Sequence, residues 1–178
     1  MSILKVAKLG NPVLREVAPL VPADAIKGQE IQRLVQDMVE TMREYGGVGL
    51  AAPQVHRSLQ IAVIEELEGS EKGRKAALQV LINPTLTILA ERLEEDWEGC
   101  LSIPDLRGRV PRYQEIRVQA RDHTGRKVEF KAKGFHARVI QHEHDHLLGK
   151  VFFDRMRNFE SLTYLREFSR YWKKEDDV

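Results

Sequence analysis

His142 and His146 stand four residues apart in Gln141-His142-Glu143-His144-Asp145-His146, with a glutamate directly after the first of them. On a helix that spacing puts both imidazoles on one face, a little over one turn apart. Two imidazoles so placed can take two positions around one divalent metal. Glu143 can then act as general base toward a water that the metal activates. Three fixed residues in five also recur without chemistry, and the plain alternative is a charged, partly exposed helix with surface histidines. As a catalytic centre the pattern is incomplete. It still needs a third ligand, a stabiliser for an oxyanion and a slot for substrate.

Cys100 is the single cysteine, so no intrachain disulfide can form, and it is the only thiol available as a third ligand. A thiolate with two imidazoles suits Fe(II), Zn(II), Ni(II) or Co(II) better than Mg(II) or Ca(II). Spacing alone does not bring Cys100 to the histidines. His144 lies two positions from each member of the pair, so a helix turns it away, and it is expected at the surface. Asp145 reads as a group that packs or orients the helix rather than a ligand. His56, His123 and His136 carry no pattern for coordination. Arg138 lies one turn before His142 on the same side of the helix. A buried cation there needs an acidic partner, and Glu98 or Asp96 is expected to supply it.

Before the histidine helix, expected over about Phe135 to Leu148, Gly134 permits a turn. After it, Gly149 reads as its cap. Upstream, residues 5 to 22 read as an irregular arm with one short turn. Asp24 could cap a helix from about Ala25 to Tyr45, where Ile26, Ile31, Leu34, Val35, Met38, Val39 and Met42 follow helical spacing. Gly46-Gly47 ends it. In Gly47-Val48-Gly49-Leu50-Ala51-Ala52-Pro53-Gln54, two glycines flank Val48 and would let backbone lie close to a ligand. An ordinary glycine-rich connector fits equally well, and no phosphate-loop pattern is present.

Leu59 to Ile64 reads as a strand, Glu65 to Lys75 as a charged turn, Val80 to Pro84 and Thr85 to Glu91 as two further strands. Residues 91–98 hold five acids, a run that usually marks a solvated edge. Glu115 to Ala120 and Lys127 to Phe130 alternate as strands, joined by a turn at Asp122-His123-Thr124-Gly125. A last helix over about Phe159 to Trp172 would carry an apolar stripe of Leu162, Leu165, Phe168 and Trp172. The acidic tail Glu175-Asp176-Asp177 is expected to be disordered. The pattern predicts one α+β domain over residues 1–178, with two to three small antiparallel sheets around the histidine helix and a further helix near each end.

Lysine and arginine total 28 against 27 acids, a net charge of +1, which gives no general argument for DNA or an anionic membrane as partner. No apolar stretch approaches a transmembrane span. Met1 to Val6 lacks the features of a secretory signal. A reducing, bacterial cytoplasm is the expected compartment, with a processed organellar form left open.

Three segments together resemble the peptide deformylase family: GVGLAAPQ at 47–54, EGCLSIP at 98–104 and QHEHDHLLG at 141–149. They occur in the family's order, and the rest of the chain can be laid along the family from the N-terminal arm to the last helix. The resemblance implies hydrolytic removal of formyl from N-formylmethionyl peptides. It assigns Cys100, His142 and His146 to one divalent metal, Fe(II) in the cell, with Zn(II), Ni(II) or Co(II) able to replace it in purified protein. It makes Glu143 the general base and then acid, and gives Gln54 and the Leu101 N–H to the oxyanion. Gly47 and Gly49 would expose backbone for pairing with the nascent peptide, beside Glu98 and Gly99. Val48, Phe135 and Val139 would meet the methionine side chain, and Arg107 a later part of the substrate. Two other readings remain at this point. One is a zinc endopeptidase built on the same histidine helix, against which the Cys100 motif argues. The other is a non-catalytic metal protein docked on the ribosome near the nascent-chain exit through the basic last helix, Arg157, Arg166, Arg170, Lys173 and Lys174 included.

Overall fold

The apolar run Ile61-Ala62-Val63-Ile64 is buried on both sides, and it decides how the layers stack. The structure, a computed structural model, describes residues 2–66 and 77–173. Strand β2 (Ile61–Glu66) sends Ile61 and Val63 into one apolar cluster and Ile64 into another. The first cluster is completed by α1 (Gln29–Glu44), through Ile31, Leu34, Val35, Met38, Val39 and Met42. The second is completed by Ala137, Val139 and Ile140 of α2 (Gly134–Leu147). A strand covered on both faces reads as continuous rather than alternating apolar sequence.

Around β2 the strands β1 (Gly49–Ala51), β3 (Ala77–Cys100), β4 (Ile103–Arg121) and β5 (Lys127–Lys133) pair antiparallel in the order β1-β2-β3-β4-β5. The short β6 (Thr163–Tyr164) adds to β4 beside Leu106 and Arg107. The α+β class is as expected. The strands, however, join into one hydrogen-bonded path where two to three small sheets were expected.

Val80 to Glu91 is not two strands but part of the long β3, which continues through the acid run to Cys100. Register shifts at Ile82/Thr85, Ile88/Ala90, Ala90/Leu93 and Glu98/Cys100 let it bend without stopping. At the first shift Asn83 has φ +53, and its side chain accepts from Val21 N–H and donates to Val21 C=O, both at 2.9 Å. Asn-Pro reads locally as a strand end. Here the amide pins a bulge instead.

Helix α1 begins four residues later than the Asp24 cap suggests. Ala25 N–H and Gly28 N–H bond back to Pro22 and Ala25 carbonyls, forming turns, and Gly28 is the residue that caps the helix. The last helix is much shorter than the apolar stripe predicts: α3 spans Leu165–Tyr171. Residues before it follow another course. Asn158 Oδ1 accepts from Glu160 N–H, Ser161 Oγ accepts from Arg109 N–H, and Thr163 and Tyr164 pair with β4. Phe168 and Trp172 of the stripe nonetheless pack on Trp97, at centroid separations of 4.9 and 5.7 Å. Of the charged turn expected over Glu65 to Lys75, Glu65 and Glu66 instead end β2, and 67–75 lie outside the described residues, as do Lys174 and the acidic tail. Among the described residues no helix is long and apolar enough to cross a membrane.

Candidate metal centre and cleft

Helix α2 is buried nearly all round. Ten of its fourteen residues, between Ala137 and Leu147, are buried, which removes the reading of a partly exposed helix with surface histidines. Gly134 opens it at φ +55, and Gly149 follows its end at φ +68. A Cβ on Gly149 would lie 2.7 Å from the Arg15 carbonyl, so the N-terminal arm crosses the helix end there. Ala18 N–H also bonds to Leu147 C=O at 2.9 Å. The arm thus fixes one end of α2 and the strands fix its sides.

Cys100 is the last residue of β3, and Leu101-Ser102 form the two-residue turn into β4, with Cys100 paired to Ile103. This turn carries the thiol to α2. Cys100 Sγ lies 3.2 Å from His146 Nε2, and the ligand atoms of Cys100, His142 and His146 all fall within 4.8 Å of one another, all three residues buried. Burial alone would raise the thiol, yet the charge of His146 and hydrogen bonds to both histidines hold it well below its usual value. Burial likewise opposes the charged form of His142, but Cys100 and Glu98 raise it well above the usual histidine value. One thiolate and two imidazoles converging in a dry site match the donor set of a borderline-soft divalent ion. His144, Asp145 and the three remaining histidines are not in this group.

Glu143 points to the same place from the next position of α2. Its Oε2 is buried and, among the described residues, has no hydrogen-bond partner. Burial pushes its carboxyl up to about 7, against the charges of His142 and His146. A Cβ on Gly49 would collide with this carboxylate, which explains why the strand beside it carries glycine. Gln54 approaches from the short helical turn Ala52–Val55. Its Oε1 accepts from Ala51 N–H at 2.8 Å, so its amide NH2 faces Cys100 Sγ at 3.4 Å and Ser102 Oγ at 3.2 Å. The donor end is therefore turned into the site.

A cleft of about 420 Å³ opens over these groups. Gly47, Val48 and Gly49 form one side, Gly99, Leu101 and Arg107 another, and Phe135, Val139, His142 and Glu143 the helix side. Phe135 is 53% exposed and stands at the mouth. Leu101 packs on Gly47, where a Cβ would come within 2.9 Å of Leu101 Cδ1. Arg107 lies across Gly99, donates to Leu106 C=O at 2.9 Å, and is half-buried. Burial lowers its pKa, with Asp105 and Cys100 acting the other way. Lys8, Tyr45, Trp97 and Leu165 also line the cleft and were not among the expected site residues; Tyr45 and Trp97 adjoin the segments beginning at Gly47 and Glu98, whereas Lys8 and Leu165 come from the N-terminal arm and α3.

Glu98 differs from the substrate contact expected of it. It borders the cleft, but it is 6% exposed and both carboxylate oxygens are engaged. Oε2 receives His142 Nδ1 at 2.9 Å and Arg112 Nη2 at 3.0 Å, and Oε1 receives Arg112 Nε and Arg138 Nη1, each at 2.9 Å. Although burial favours its neutral form, the bonds from His142 and Arg112 hold its carboxyl far below the usual carboxylate range. Arg138 thus has the acidic partner expected, and Asp96 contributes a backbone carbonyl rather than its carboxylate.

Arg112 also binds Asp145 at 2.5 Å, and Asp145 takes Arg155 as well, so Asp145 ties α2 to its surroundings. Arg112 was missed, although its inward register with Val110 on β4 was readable from strand alternation. His144 is half-buried rather than on the surface, and burial lowers its pKa. His136 bonds Gln79 at 3.0 Å and stacks on Phe130, while His56 is exposed.

A family model described as polypeptide deformylase matches residues 3–161. A curated protein of Pseudomonas syringae pv. tomato named peptide deformylase 2 is 43% identical over 165 residues, covering 92% of each chain. Peptide deformylase 1 of Nitrosomonas europaea is 44% identical over 164 residues, covering 91% of this chain and 92% of its own. The crystal structure of a class I type b peptide deformylase from Acinetobacter baumannii, with Met-Ala-Ser bound, superposes with a TM-score of 0.80. It shares 35% identity and covers 86% of this chain and 98% of its own.

Proposed function

The chain belongs to the peptide deformylase family, and from that premise we propose that residues 1–178 form one catalytic unit that hydrolyses the formyl group from N-formylmethionyl peptides. The observation that carries this reading is the convergence of Cys100, His142 and His146 beneath a cleft, with the unpartnered Oε2 of Glu143 beside them. Cys100, His142 and His146 would hold one divalent ion, Fe(II) in the cell by the family's habit. When bound, that ion would polarise the formyl carbonyl and acidify water.

The protein's own groups do the rest. Glu143 takes the proton of the attacking water and passes it to the leaving amine. A carboxyl poised near 7 can do both at neutral pH. The Gln54 NH2, locked in direction by Ala51 N–H, and the Leu101 N–H stabilise the oxyanion. Among the described residues β1 pairs only with β2, so its outer edge is open to an extended peptide running beside Gly47 to Gly49. Val48, Val139 and Phe135 surround the methionine side chain, and Arg107 meets the peptide further along, next to Gly99. The Acinetobacter baumannii relative binds Met-Ala-Ser, the sequence such a reaction would leave as product.

The test is formate release from formyl-Met-Ala-Ser by metal-loaded protein, with no cleavage of internal peptide bonds. Glu143→Gln should keep its metal and lose about 100- to 10,000-fold in kcat. Metal-loaded wild-type protein that releases no formate would overturn the proposal. Full activity in Glu143→Gln would overturn the role of Glu143.

A further inference from the structure

Arg138 is buried at 6% exposure on α2, one turn before His142, and its guanidinium donates to four acceptors on β3 and β4. Nη1 donates to Glu98 Oε1 at 2.9 Å and to Val110 C=O at 2.7 Å, with Asp96 C=O further off at 3.4 Å. Nη2 donates to Glu94 C=O at 2.7 Å. The carbonyls belong to the paired stretch of β3 and β4 that leads up to the register shift between Glu98 and Cys100. We propose that Arg138 is a positioning residue for the metal site: it clamps Glu98 against this bulge so that Glu98 holds His142 with Nε2 turned toward Cys100 and His146.

The geometry divides the work between two arginines. Arg112 grips Glu98 along one edge through Nε and Nη2 and is shared with Asp145. That pair alone could pivot about the Arg112 fork. Arg138 binds Oε1 from a second direction and is itself anchored to strand carbonyls, so the carboxylate loses that freedom. Oε2 is then held where His142 Nδ1 reaches it at 2.9 Å. A carboxylate that receives the far nitrogen of a ligating histidine fixes its tautomer and ring direction, and losing such support costs roughly 10- to 100-fold in metal affinity or activity. A purely structural arginine would pin the strands without acting through Glu98.

The inference rests on the reading of Cys100, His142 and His146 as a metal site, and its test reads metal affinity rather than turnover. Zn(II) affinity, measured against a competing chelator, is compared in wild type, Arg138→Met, Glu98→Gln and the double variant. Arg138→Met should weaken Zn(II) binding roughly 10- to 100-fold. In the Glu98→Gln background it should add less than about a twofold loss, because both changes break one chain of contacts. Arg138→Lys should recover part of the affinity by returning a cation to Glu98, while its melting temperature stays below wild type for want of the carbonyl bonds. Should Arg138→Met fail to fold, Arg138→Gln takes its place with the same expectations. Unchanged affinity, losses that multiply independently in the double variant, or affinity in the lysine variant that follows its melting temperature would each overturn the proposal. Formate release by wild type is scored separately. Its absence would sink the function proposed above and leave the Zn(II) cycle to decide the role of Arg138.

Discussion

At the scale of single residues, the site is built from close approaches that leave no room for a methyl group. Gly49 lies in extended backbone that alanine can adopt, but a Cβ there would strike the Glu143 carboxylate. Gly49→Ala should therefore fold normally, with a melting temperature near wild type, and yet lose about 100-fold in kcat as Glu143 is pushed aside. A Gly49→Ala protein of wild-type kcat would mean that Glu143 needs no fixed position. Which side chains converge was partly legible at this scale. The histidine pair and Glu143 follow from helical spacing, and the need of Arg138 for a carboxylate follows from the cost of a buried charge. Arg112 shares the inward register of Val110, but its partners Glu98 and Asp145 lie 14 and 33 residues away and no local pattern names them.

Elements carry those residues into place, and here local patterns are weaker guides. The turn between β4 and β5 formed as alternation predicts, because Asp122 satisfies it internally. Oδ1 accepts from Thr124 N–H, Thr124 Oγ1 and Arg126 N–H, and Oδ2 from Arg126 Nε. These bonds, the Thr124 hydroxyl first, draw its carboxyl down to about 2. The folded pKa lies below the unfolded one, so the contribution to stability is complete above the ordinary aspartate range. It is lost as pH falls toward 2. The melting-temperature gap between wild type and Asp122→Ala should be widest near neutral pH and shrink between about pH 4 and 2. A gap that stays constant over that window would show that the carboxylate charge contributes nothing. By contrast, the stripe at Leu162, Leu165, Phe168 and Trp172 predicted a helix twice the length of α3. Pairing of Thr163 and Tyr164 with the β4 edge captured its first half. Strand pairing is a long-range bond that helical spacing cannot register.

For the whole molecule, two separate parts would hold the proposed ion, the β3–β4 turn with Cys100 and helix α2 with its histidines, and the turn with Gln54 lies against the Cys100 thiol. An ion bound across them stabilises the folded chain in proportion to its affinity, because the unfolded chain lacks the site. Removal by a chelator should abolish formate release and lower the melting temperature. Zn(II) at a hundred times its dissociation constant should restore about 2.7 kcal/mol. Cys100→Ser should blunt that restoration, and a melting temperature indifferent to Zn(II) in the wild type would argue against the three-residue site.

The sequence by itself determined the helix with its histidine pair, the glutamate beside them and the α+β class, because helical and strand periods are local properties of the chain. It also supplied the three motifs whose order resembles a known family. Only the tertiary structure decided that Cys100 meets His146, that Gln54 turns its amide NH2 inward, and that Glu98, at the border of the cleft, is held by His142 and two arginines. Those facts depend on bulges and register along β3 and β4, where one residue's shift moves a side chain to the opposite face. No local pattern encodes those shifts, since they are set by how the two strands pair and by what packs on them.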